Sequence, residues 1–167
     1  TLLEKPDGIA IFSGTSFGFF GKLFDKGRLE DIEKIYQKIH SVFKNKFYIE
    51  IQRHNDLNEK NFEEFNLELS HKFDIPLIAT QEVFYLDKTM HEAHDALICI
   101  GNKTYINDKN RIKYSNQHYF KTDQEMNDLF SDLPEALENN KNFPYLVNFR
   151  PQASEPVLPD ISINEGK

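Results

Sequence analysis

The sequence predicts an α/β fold in which parallel strands alternate with helices, and three observations carry that prediction. Two apolar runs, Phe47–Ile51 (FYIEI) and Ile75–Thr80 (IPLIAT), flank about one helix's worth of amphipathic sequence. Both runs are too evenly apolar for a sheet with one wet face, so they read as strands covered on both sides. A third apolar run near 9–13 precedes another amphipathic stretch, so strand and helix alternate as βαβ units require.

Taken in order, Gly8 to Gly14 (GIAIFSG) reads as a buried strand ending in Ser-Gly. The Gly-rich stretch Thr15 to Gly21 invites comparison with a phosphate cradle. A P-loop needs Gly-Lys followed by Ser or Thr, and Gly21-Lys22-Leu23 lacks the hydroxyl, so a tight strand-to-helix turn is expected. Arg28 to Asn45 is expected as a helix, with Leu29, Ile32, Ile35, Tyr36, Ile39, Val42 and Phe43 at helical spacing. His40 falls beside that stripe and reads as a surface histidine. After the Phe47 strand and a His54-Asn55-Asp56 turn, a helix over about Glu59 to Phe73 places Phe62, Phe65, Leu69 and Phe73 on one face. Thr89 with Glu92, and Thr122 with Glu125, each read as a capping box opening a helix. Pro134 reads as the start of a further helix ending around Asn139. Prolines 144, 151, 156 and 159 then mark an extended connector.

Composition narrows the function classes. A chain of 167 residues can bury one real core. Its formal charge of −7 provides no basic field for gripping DNA, so this segment is expected to bind nucleic acid poorly. The lone cysteine, Cys99, sits at an apolar helix position and reads as core; no disulfide within one copy can form, which suits a cytoplasmic setting. No signal peptide and no apolar run of membrane-spanning length is visible, so no membrane association is expected.

The wording of three stretches goes further. YIEIQRH (48–54), IPLIATQEVFYL (75–86) and HEAHDALICIG (91–101) closely resemble the PHP (polymerase and histidinol phosphatase) domain of bacterial replicative DNA polymerase III alpha subunits. The resemblance extends outward through SGTSFGFFGKL (13–23), YSNQHYFKTDQEMNDLFSDLPEALENN (114–140) and NFRPQASEPVLPDI (148–161). It implies a partial PHP-type (β/α)7 barrel over 1–102, a polar loop and short helices over 103–142, and a Pro-rich connector towards the palm over 143–167. It also implies a piece of a longer protein, in keeping with a start at Thr1 rather than methionine. The parent would be a DNA-directed DNA polymerase using Mg, DNA and deoxynucleoside triphosphates within the replisome. Its palm carboxylates would lie beyond Lys167, so no catalytic residue is assigned here. Self-association through the open barrel edge is expected of the isolated segment.

The resemblance also implies a site, and the residues show it eroded. His54 stands at a family metal-ligand position. The second motif, Asp-x-His in the family, reads Glu82-Val83-Phe84, which keeps a carboxylate and loses the imidazole. Thr15 stands where the family commonly has Cys. His54 and Glu82 are therefore the candidate metal residues of a degenerate site, expected to meet across adjacent strand ends and to bind no tight metal cluster. The alternative is a PHP phosphoesterase acting as pyrophosphatase or 3′–5′ exonuclease. His91, His94 and Asp95 share neighbouring helix faces, yet His94 matches the family's structural Ala-His position and no metal is expected there. Lys103 to Tyr119, polar and aromatic, reads as a solvated loop rather than a nucleic-acid track.

Overall fold

The computed structural model of the chain describes residues 2–4, 6–153 and 155–156, without the side chain of Leu2. Three strands lie in the order β1 (Ile11–Phe12), β2 (Phe47–Ile51) and β3 (Leu77–Ala79), and both pairings are parallel. Ile11 stands opposite Phe47, and Ile49 opposite Leu77. Parallel neighbours need a crossover, and helices supply it. Helices α1 (Phe19–Asp25) and α2 (Leu29–Phe43) connect β1 to β2, and α3 (Glu59–Phe73) connects β2 to β3. Three more follow: α4 (His91–Asn102), α5 (Asp123–Leu129) and α6 (Pro134–Leu146).

Alternation along β2 divides its side chains between two layers. Phe47, Ile49 and Ile51 are almost wholly buried and join one apolar cluster with Ile32, Tyr36, Phe62 and Leu69 from α2 and α3. The Tyr36 ring meets Phe47 edge-on at 5.3 Å. Burying an aliphatic or Phe side chain this completely contributes roughly 1.5–3 kcal/mol, so this face of the sheet dominates stability. On the opposite face Phe12 and Tyr48 receive Phe143 of α6, with ring centroids 4.9 and 5.9 Å away. Helix α6 also seals the outer edge of β3. Asn139 Nδ2 donates to Leu77 O and Asn140 Nδ2 to Ala79 O, both at 2.8 Å. Those carbonyls point away from β2 and would otherwise form an open strand edge.

Several boundaries differ from expectation. Helix α6 continues past Asn139 to Leu146 with Pro144 inside it. Pro144 sits in the last turn, where its missing N–H costs one bond to the Asn140 carbonyl, and the extra turn brings Phe143 against the sheet. The Thr89–Glu92 capping box does not form. Asp87 caps instead, accepting from Thr89 N and Oγ1 at 2.8 and 2.6 Å, and a short 3-10 turn over Lys88–Met90 leads into α4. The Thr122–Glu125 box does form, in both directions. His40 is half-buried rather than on the surface, with Nδ1 shielded and unpartnered among the described residues. Cys99 is buried, as its helix position predicts. The connector shows neither helix nor strand over 147–153 and 155–156, and its remainder, Pro159 included, lies outside the described residues. No described helix is long and apolar enough to cross a membrane.

Candidate functional site

The carboxyl ends of β2 and β3 lie side by side, because the two strands pair in parallel with Ile51 opposite Ala79. The residues that follow each strand therefore converge, as in parallel α/β folds generally. A small cavity of about 20 Å³ there is lined by Thr15, His54, Asp56, Glu59 and Glu82, among others. His54 and Glu82 meet there as expected, and Thr15 lines the same cavity.

His54 is 1 % exposed, held by its own backbone before its side chain does anything. Glu59, in the first turn of α3, accepts from the backbone N–H of His54 at 2.8 and 2.9 Å and from that of Asn55 at 2.8 Å. Asn55 and Asn58 take left-handed backbone angles, which asparagine tolerates, and these tighten the turn. Ser115 Oγ donates to the His54 carbonyl. The expected His54–Glu82 contact is present through the main chain: Glu82 N donates to His54 Nε2 at 3.1 Å. The Glu82 side chain remains 44 % exposed.

The residue that sequence reasoning missed is His118. The Lys103–Tyr119 stretch is not a plain solvated loop, because it carries Tyr114, Ser115 and His118 back onto the site. His118 is fully buried, and its ring stacks on His54 at 4.2 Å with 3° between planes. Its Nδ1 lies 3.2 Å from Glu82 O and its Nε2 3.1 Å from Asp56 Oδ2. Burial and the neighbouring His54 push the His118 imidazole below the ordinary histidine range, against the pull of Asp56 and of the Glu82 carbonyl. The one available signal was a histidine set between aromatic residues in YSNQHYF, which has no periodicity to announce burial.

Phe84 takes part in the packing of the site. Its ring continues the stack, 4.9 Å from His118 and 5.2 Å from His94. Its backbone N donates to His118 O at 2.9 Å, beside a parallel bridge between Tyr85 and Tyr119. The column His54, His118, Phe84, His94 thus ties four chain segments together. At its far end His91 Nε2 contacts Tyr114 O at 3.1 Å, and Asp95 takes a two-pronged pair from Arg111 at 2.5 and 2.7 Å. Arg111 holds the Asp95 carboxyl below the usual carboxylate range. Arg53, next to His54, is likewise committed: it pairs with Asp132 and Glu63 and lies over the Phe130 ring at 4.8 Å. Among the described residues, the one group of His, Cys, Asp or Glu with donor atoms close enough for a metal is His54, Asp56 and His118.

Comparison with known proteins agrees with the wording of the chain. It is 30 % identical over 164 residues to the DNA polymerase III subunit alpha of Caulobacter vibrioides, 33 % over 165 residues to that of Rickettsia felis and 32 % over 164 residues to that of Pseudomonas aeruginosa. Each match takes in 98 % of the chain. The chain matches one segment of DNA polymerase III alpha subunits. It spans 14 % of the length of these relatives. No family model matches it.

Proposed function

We propose that the chain serves as a structural segment of a replicative DNA polymerase alpha subunit, the C-terminal part of a PHP-type barrel with a degenerate metal site. The observation that carries this reading is the near end-to-end match to one segment of alpha subunits, with its motifs in order. On this reading 1–102 is barrel, 103–142 closes it, and 143–167 leads towards the palm. The parent is a cytoplasmic DNA-directed DNA polymerase that uses Mg, DNA and deoxynucleoside triphosphates in the replisome, and the segment itself neither polymerises nor grips DNA.

The site residues support a scaffold role. Two- and three-ion hydrolytic centres need several converging donors per ion. Here Phe84 lies in a ring stack, Glu59 is spent on backbone N–H groups, and Thr15 is a poor ligand. No bridged cluster is bound, and hydrolysis of phosphoesters is not an activity of this segment. Self-association, where the segment is isolated, proceeds through the β1 side, since Asn139 and Asn140 cover the outer carbonyls of β3.

Primer extension tests the assignment. A longer product of the surrounding reading frame, carrying a palm-type carboxylate pair, extends a primed template, and the 167-residue chain alone does not. Extension by the chain itself, or a reading frame without palm carboxylates, overturns the reading.

A further inference from the structure

We infer that the outer face of α4 seats a helix from another part of the same longer polypeptide. The inference rests on the reading of the chain as one segment of an alpha subunit. It is carried by the way polar and apolar residues are distributed around α4. A surface helix normally turns its apolar stripe to the core and its polar residues to water. Here the inner face holds His91, His94, Asp95 and Cys99. His91 contacts the Tyr114 carbonyl, His94 stacks on Phe84, Asp95 pairs with Arg111, and Cys99 is buried. The outer face holds Ala93, Leu97 and Ile100, with Met90 just before them, and all four are exposed. Leu97 and Ile100 are 63 and 75 % exposed, so the largest aliphatic side chains of the helix lie open on the side away from the core.

Their spacing defines the shape of the occupant. Positions 90, 93, 97 and 100 are separated by three, four and three residues, the interval of a seam that pairs with a second helix. The backbone groups in the middle of a helix are already paired, so α4 offers an incoming chain side chains and no strand edge. Ala93 lies within the seam, and Ala96 and Gly101 lie beside it. Small residues there let a second helix axis come within about 8–10 Å.

Charge and size select the occupant. Helix α4 carries Glu92 and Asp95 and neither lysine nor arginine, so its outer face attracts neither phosphates of nucleic acid nor an anionic membrane surface. It has 12 residues, a length of about 18 Å. One pair of helices that short buries well under the roughly 1,200 Å² that separate molecules need for stable association. A second copy of the chain is therefore a poor occupant. A helix in the same polypeptide does not meet that requirement, because its tether keeps it at high effective concentration. The chain spans 14 % of the length of the related alpha subunits, so a longer parent has ample sequence from which to supply that helix.

The test compares the 167-residue chain with the longer product of the surrounding reading frame. Ala93→Cys, Leu97→Cys and Ile100→Cys are made one at a time in both and treated with a maleimide, with Glu92→Cys as the position on the rim. Peptide mass spectrometry follows labelling at each position. All four should react freely in the chain. In the longer product the three seam positions should react at least about tenfold more slowly, while Glu92→Cys keeps its rate. Leu97→Glu gives a second readout: it should leave the melting temperature of the chain unchanged and lower that of the longer product. Equal labelling rates in the two proteins overturn the inference, and primer extension by that same longer product shows that the alpha-subunit reading survives. Protection of the seam in a longer product that extends no primer retains the packing and removes the polymerase. Slow labelling in the chain alone that is relieved by dilution overturns the inference in favour of a second copy. Protection that appears only with primed DNA overturns it in favour of nucleic acid, and a reading frame that adds no residues to the chain overturns both readings.

Discussion

Two clusters of histidine and carboxylate flank the Phe84 ring, and they differ in how their charges are met. His91, His94 and Asp95 come from successive positions of α4, where helical geometry alone makes them neighbours. There the Asp95 carboxylate is already neutralised by Arg111, and His91 Nε2 is held against the Tyr114 carbonyl. His54, Asp56 and His118 come from two loops whose partners stand 62 residues apart along the chain. No arginine or lysine bonds to that trio among the described contacts, and a carboxylate oxygen faces an imidazole nitrogen inside the protein. Side chains at metal-like spacing on a helix make a site only if nothing else neutralises them. The partner decides, and spacing does not reveal the partner.

The largest test of this contrast removes the ring at the centre of the stack. His118→Ala should destabilise the chain by about 3 kcal/mol, because it opens a cavity between His54 and Phe84 and strips Asp56 and the Glu82 carbonyl of a partner. Urea unfolding followed by circular dichroism measures it. A loss below about 1 kcal/mol would mean that the column is not a structural unit.

Arg111→Met tests the neutralised cluster, with a sign set by protonation. In the unaltered chain the hydrogen bond from Arg111 holds the Asp95 carboxyl down, and Arg53 does the same for Asp132. Carboxyls depressed in the folded state contribute stability that is present above their unfolded value near 3.8 and lost as the pH falls through the lower folded values. Without Arg111, burial becomes the leading influence on Asp95 and raises its value. The variant should therefore fall furthest behind at neutral pH, and the gap should narrow towards pH 3. Melting temperatures across that range check it, and a gap constant with pH would count against the assignment.

Smaller effects probe the frame that positions both clusters. Asn139→Ala and Asn140→Ala should each cost about 1 kcal/mol, since each leaves an outer carbonyl of β3 without its donor. The double variant should also self-associate more readily than the unaltered chain, as light scattering would register. Thr122→Ala removes half of a reciprocal cap and should cost about 1 kcal/mol. Its effect should leave the His118 environment unchanged by NMR, because the cap stabilises α5 rather than the stack.

Periodicity determined the frame. The bounds of α3, Glu59–Phe73, agree with the spacing of Phe62, Phe65, Leu69 and Phe73, and β2 agrees with the apolar run Phe47–Ile51. A parallel sheet follows from strands covered on both sides and joined by helices, so the meeting of positions 54 and 82 was legible too. Caps were less secure, because Asp87 and Thr89 compete for the same turn and one-residue choices depend on where the incoming chain lies. The site itself was decided in three dimensions. Periodicity records which face of a regular element is apolar, and residues 103–121 belong to no regular element. What buries His118 is a loop path pinned by Ser115 on the His54 carbonyl, Phe84 N on the His118 carbonyl and Lys121 N on Gln81. Each of those bonds joins residues more than thirty positions apart, and local sequence carries no trace of such pairings.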